Sequence, residues 1–237
     1  MKKRVLSAMP SQTFAEGALD AAQQTGELSY DGYKKVWSDE FNGDSLNRAD
    51  WNVETHEKGW VNNELQEYVD SSENIQVKDG KLIINPVKKV TDGDTGSTKE
   101  AASYTSGRVS TQNKQTFIYG RFECRAKVPK GQGYLPAFWL MANDEWPRCG
   151  EIDCMEVMGQ ETNKAYGTLH YGNPHSQSQG TYTITDGADF SDDFHIYTCD
   201  WESGKITWYV DGVKYHEESE WHSTTVGQGT LAYPAPF

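Results

Sequence analysis

Three carboxylates fall within six residues of the run Trp146-Pro147-Arg148-Cys149-Gly150-Glu151-Ile152-Asp153-Cys154-Met155-Glu156-Val157-Met158-Gly159. In an extended strand successive side chains point to opposite faces, so Glu151 and Asp153 share one face while Ile152 and Cys154 share the other. Glu156 has the wrong parity to join the acidic pair. One extra residue, a β-bulge at Cys154-Met155, restores it and leaves Ile152, Cys154 or Met155, and Val157 facing a core. Acids crowded on one strand face repel each other and raise at least one pKa, which suits general acid/base work. A solvated acidic edge is the competing reading, and the apolar residues between the acids weigh against it.

The elements that must position such a strand are β-strands. The chain has 237 residues with 12% aromatic side chains and 22 Gly. Aromatic-rich strands between glycine turns favour a sandwich or barrel. The formal net charge of −13 argues against nucleic acid, which needs Lys and Arg patches, and against an anionic membrane surface. Neutral polymers stay open, carbohydrate first among them. No apolar run approaches a membrane span of roughly twenty residues. The basic start Met1-Lys2-Lys3-Arg4 is followed by too short an apolar stretch for a secretory signal. The four cysteines (Cys124, Cys149, Cys154, Cys199) lack metal-ligand spacing and read as buried free thiols.

Residues 1–33 read as a leader or linker, with a short helical turn or two over Thr13 to Gln24, and 34–237 as one domain. Asn74-Ile75-Gln76-Val77-Lys78, the turn Asp79-Gly80 and Lys81-Leu82-Ile83-Ile84 form a hairpin, because Asp-Gly tolerates positive φ. Lys88 to Ser103 reads as a solvent loop. Thr116 to Val128 alternates: Ile118, Phe122, Cys124, Ala126 and Val128 on one face, Tyr119, Arg121, Glu123, Arg125 and Lys127 on a wet one. A second hairpin joins Phe194 to Trp201 with Lys205 to Val210 through Ser203-Gly204, and Asp211-Gly212 is turn chemistry. The expected fold is all-β.

Eight motifs in order resemble glycoside hydrolase family 16, in its bacterial laminarinase (endo-β-1,3-glucanase) branch. They are Trp37-Ser38-Asp39-Glu40-Phe41, Asn63-Glu64-Leu65-Gln66-Glu67-Tyr68, Tyr104-Thr105-Ser106-Gly107-Arg108 and Tyr119-Gly120-Arg121-Phe122-Glu123. Pro136-Ala137-Phe138-Trp139-Leu140-Met141, Gly150-Glu151-Ile152-Asp153-Cys154-Met155-Glu156, Gly167-Thr168-Leu169-His170-Tyr171 and Tyr209-Val210-Asp211-Gly212 complete the set. The acidic spacing is similar to the bulged form of laminarinases, agarases and carrageenases.

The resemblance implies a curved, concanavalin A-like β-jelly roll of two antiparallel sheets, with glucan in a cleft. It implies retaining double displacement, with Glu151 as nucleophile, Glu156 as acid/base and Asp153 positioned between them. A retaining enzyme needs its two carboxyl groups about 5–5.5 Å apart, one ionised and one protonated. For sugar binding it points to Asn63, Glu64, Arg108, Trp139, Trp146 and His170. Indole platforms meet the C–H face of a sugar, and amide and guanidinium donors meet its hydroxyl rim. Trp139, between Phe138 and Leu140, also reads as a core residue, and Trp60 as an outer platform. No cofactor is required for the chemistry. A structural Ca2+ is implied, for which Glu40 and Gly80 match two contributors; a hard cation needs about six oxygens, and the sequence shows no third contributor.

The family pattern continues with further strands beyond the equivalent of Phe237, so a C-terminally incomplete catalytic domain, or one completed by another chain, is the expectation. The expected activity is endo-hydrolysis of β-1,3- or mixed β-1,3/1,4-glucan outside the cell. A galactan hydrolase and a non-catalytic β-glucan-binding lectin are the competing functions.

Overall fold

The structure, a computed structural model, describes residues 2–8, 30–89, 103–225 and 229–232, with side chains for 30–89 and 103–222. The expected helical turn over Thr13 to Gln24 and most of the Lys88 to Ser103 loop lie outside the described residues. The chain divides into two compact units, one of residues 1–39 and 117–237, the other of residues 40–116.

The strands run β1 (Lys2–Ala8), β2 (Tyr33–Asp39), β3 (Asn52–Val53), β4 (Gln66–Tyr68), β5 (Ile75–Lys78), β6 (Lys81–Ile84) and β7 (Val87–Lys89). They continue with β8 (Ser103–Ser106), β9 (Val109–Ser110), β10 (Gly120–Ala126), β11 (Ala137–Met141), β12 (Glu151–Glu156) and β13 (Lys164–Tyr171). The last are β14 (Ser176–Thr183), β15 (His195–Glu202), β16 (Lys205–Val210), β17 (Val213–Glu218), β18 (His222–Thr225) and β19 (Gly229–Ala232). No helix occurs among the described residues, and the chain is all-β as expected.

In the larger unit a six-stranded sheet, β17-β16-β15-β10-β1-β2, and a four-stranded sheet, β11-β12-β13-β14, are antiparallel throughout. Alternate residues of both turn inward to one core. The six-stranded sheet gives Phe122, Cys124, Ala126, Tyr197, Cys199, Trp201, Ile206, Trp208 and Val210. The four-stranded sheet gives Phe138, Ile152, Cys154, Met155, Ala165 and Leu169. This is the expected sandwich of two antiparallel sheets. At Gly167 on β13 the layers come so close that a Cβ would lie 2.4 Å from Trp208 Cδ1 and 2.4 Å from the Tyr215 hydroxyl. Only a residue without a side chain fits there.

The smaller unit carries the expected Asp79-Gly80 hairpin, β5 on β6, with φ of 51° and 66° at the turn. Its β4 pairs with β8 in parallel, an exception to the antiparallel rule.

Within the stretch read as a leader or linker, β1 is bonded between β10 and β2. Its pairing is made by the backbone, which hydrophobic alternation does not report. The face of β10 expected to be wet is partly buried: Arg121 is 4% and Glu123 1% exposed. Arg121 Nη1 donates to both Asp200 oxygens (3.0 and 2.8 Å), Arg121 Nε donates to Glu123 Oε1 (3.1 Å), and the Tyr30 hydroxyl donates to the same oxygen (2.6 Å). Mutual pairing makes burial of these charges tolerable. Burial still pushes the Asp200 carboxyl up to about 6, against the pull of Arg121.

Candidate active site

The acidic run folds as β12, between β11 and β13, and the break in its periodicity is resolved as a bulge. On the β11 side Trp139 pairs with Asp153 and Phe138 with Met155, so Cys154 has no partner. On the β13 side Asp153 pairs with Thr168 and Glu156 with Tyr166, so Cys154 and Met155 together face Gly167. Cys154 and Met155 are both buried in the core. The extra residue thereby returns Glu156 to the face of Glu151 and Asp153, as the parity argument requires.

Burial and charge then act on this face. Glu156 is pushed up to about 7, first by burial, then by the Asp153 charge, with Glu151 adding to it and His170 opposing. Asp153, 4% exposed, is also raised by burial, and its hydrogen bond and charge contact with His170 hold part of that rise back. His170 Nε2 lies 3.2 Å from Asp153 Oδ2. Burial pushes the imidazole pKa down, but its hydrogen bond to Asp153 and the charges of Asp153, Glu151 and Glu156 carry it above its ordinary value. Glu151 accepts a hydrogen bond from Trp146 Nε1 at 2.7 Å. One strand face thus holds Glu156, whose carboxyl is raised to about 7, and Glu151, which accepts a hydrogen bond from an indole donor.

The remaining expected residues divide between the two units. Trp139 pairs with Asp153 while its neighbours Phe138 and Leu140 pack in or against the core, so its indole lies on the acidic face and the core reading does not hold. Trp146, 47% exposed, packs with His175 (ring centroids 4.9 Å) and His170 (6.1 Å). In the smaller unit Arg108 Nε donates to Glu54 Oε2 (2.7 Å), and its guanidinium lies over the rings of Trp60 (5.2 Å) and Tyr68 (5.9 Å). Tyr68 donates its hydroxyl to Glu64 Oε2 (3.0 Å), and His56 stacks on Trp60 at 3.5 Å. Asn63 is exposed at a left-handed φ of 52° beside Glu64. Glu54, His56 and Tyr68 are members of this polar–aromatic group that sequence reading did not single out.

His175 was also missed: its Nε2 is 2.9 Å from His170 Nδ1. It follows the Gly172-Asn173-Pro174 turn, and no periodicity links it to His170. For the implied Ca2+, Gly80 sits with Asn42 Oδ1 3.8 Å from where its Cβ would be, and Glu40 belongs to the same unit. Among the described residues no three His, Cys, Asp or Glu converge there, so these two do not by themselves complete a six-oxygen shell.

Residues 62–235 match the family model described as glycosyl hydrolases family 16. The chain is 38% identical to the glucan endo-1,3-beta-glucosidase A1 of Niallia circulans over 87% of its own length, and it spans 33% of that relative. It is 42% identical to the glucan endo-1,3-beta-glucosidase of Cryptopygus antarcticus, covering 77% of this chain and 68% of the other. The X-ray structure of the endo-beta-1,3-glucanase from Pyrococcus furiosus is similar with a TM-score of 0.69 at 35% identity, over 81% of this chain and 77% of that one.

Proposed function

Because this chain belongs to glycosyl hydrolases family 16, we propose that it cleaves β-1,3-glucan or mixed β-1,3/1,4-glucan internally, with retention at the anomeric carbon. Glu151 attacks that carbon as its glycosidic bond breaks, and Glu156 gives its proton to the departing oxygen. A water then attacks the glycosyl ester, Glu156 takes a proton from it, and Glu151 leaves as a carboxylate. Asp153 lies between the two on the strand and, by its charge, helps keep the proton on Glu156. Trp139 and Trp146 offer apolar faces for sugar rings on the same side.

The observation that carries this reading is the pair on one strand face: Glu156, pushed up to about 7 by burial and the Asp153 charge, and Glu151, which accepts an indole N–H. A retaining glycosidase needs one carboxyl that holds a proton while the other attacks, and a raised Glu156 suits the first role. The acids also disfavour the lectin reading, which has no use for a buried proton donor. The proposed site of action is outside the cell, since polymeric glucan does not enter intact.

Reducing ends released from laminarin, barley mixed-linkage glucan and agarose test the proposal beside Glu151→Gln. Release from laminarin that vanishes in the variant supports it. Release from agarose alone transfers the activity to galactan, and binding without release by either protein leaves the lectin.

A further inference from the structure

The bulge in β12 is what aligns Glu156, and a bulge leaves backbone groups outside the ladder that must find other partners. The Asp153 carbonyl, the last before the extra residue, accepts a hydrogen bond from Trp208 Nε1 at 2.8 Å. Trp208 is fully buried on β16 of the opposite sheet. The residue facing the bulged pair is Gly167, where a Cβ would stand 2.4 Å from Trp208 Cδ1 and 2.8 Å from its Cγ. The missing side chain is therefore the space through which the indole reaches the bulge. His216 stacks on the same indole, centroids 4.7 Å apart, and fixes its plane.

We propose that Trp208 is a positioning residue: its N–H, held against the Asp153 carbonyl through the gap at Gly167, pins the extra residue that sets Glu156 beside Glu151 and Asp153. Trp208 touches no substrate in this arrangement. It acts from behind the sheet, through the backbone. Without the pin, β12 gains freedom to shift toward regular pairing, which turns Glu156 away from the acidic face. The link from pin to rate rests on the glucanase reading above; the pin itself does not.

The test replaces Trp208 by benzothienylalanine, an isostere with sulfur in place of the N–H, and separately makes Trp208→Phe and Gly167→Ala. Ile206→Val, a core change on the same strand, serves as control. In the full-length protein, hydrogen exchange of the peptide spanning 152–157 and kcat, KM and pH profile on laminarin are measured. The isostere is expected to retain near-wild-type circular dichroism while exchange at Cys154 to Glu156 speeds at least tenfold. With it kcat falls about tenfold or more, KM stays within about threefold, and the alkaline limb moves to lower pH as Glu156 leaves its neighbours. Gly167→Ala is expected to share that signature and Ile206→Val to lack it. A folded isostere with unchanged exchange and kcat overturns the proposal, as does Ile206→Val producing the same shift in limb. A wild-type protein inactive on every glucan sinks the glucanase reading alone, and the exchange data still decide the pin.

Discussion

Trp146 donates its indole N–H to Glu151 Oε2 at 2.7 Å while 47% of its own surface stays exposed. One side chain therefore both offers a ring face outward and restrains the proposed nucleophile. Trp146→Phe separates these roles, because it keeps a ring and removes the donor. Hydrogen bonds to charged groups contribute about 1.5–3 kcal/mol, and exposure favours the low end. A fall in kcat/KM of about tenfold is expected, carried mainly by kcat. An equal loss confined to KM would assign Trp146 to sugar binding alone.

Glu156 must be protonated to act as the acid, so kcat/KM is expected to fall as pH rises through about 7. The Asp153 charge is the second cause of that raised value, after burial. Asp153→Asn should therefore move the alkaline limb toward lower pH. A limb that stays in place would show that the Asp153 charge does not set the value.

The same group makes stability depend on pH. Its folded pKa lies above the ordinary carboxylate value of 4.5, so the native state holds the proton more tightly than the unfolded chain. That contribution is fully present below 4.5 and is lost as pH rises through about 7. Glu156→Gln keeps the neutral shape at every pH, so its Tm relative to wild type should increase between pH 5 and pH 8. Parallel melting curves at both pH values would contradict this.

All four cysteines are free and buried. Burial raises the thiols of Cys149 and, far more strongly, Cys199, which keeps them protonated and unreactive near neutrality. Ellman's reagent should find almost no thiol in the native protein and four after denaturation. Fast reaction of the native protein would mean that the core opens on the timescale of the assay.

The acidic face was legible because strand parity is strict: the mismatch of Glu156 with Asp153 demanded one extra residue, and only Cys154-Met155 stood between them. The Asp79-Gly80 turn was legible because few dipeptides accept two positive φ angles. Arg121 and Glu123 misled because alternation marks polar residues as outward, whereas paired charges can be buried. Trp208 stood in the strand of the second expected hairpin, but a strand assignment does not say where an indole N–H points. His175 meets His170 through a turn whose path no pattern encodes, and β1 is held by backbone bonds that any sequence can make.

The order of strands has a consequence for how the molecule assembles. The sheet bearing the carboxylates, β11-β12-β13-β14, joins each strand to the one before it in the chain. The sheet behind it closes only when β10 meets β15 and β1, contacts between segments far apart in sequence. Short loops close at lower entropic cost than long ones, so the carboxylate strand acquires its neighbours before the indole behind it arrives. Pulse-labelled amides of 137–183 should gain protection ahead of the β10–β15 ladder. The bulge then begins as a loose feature of an early meander, and becomes a fixed one only at the final, long-range closure.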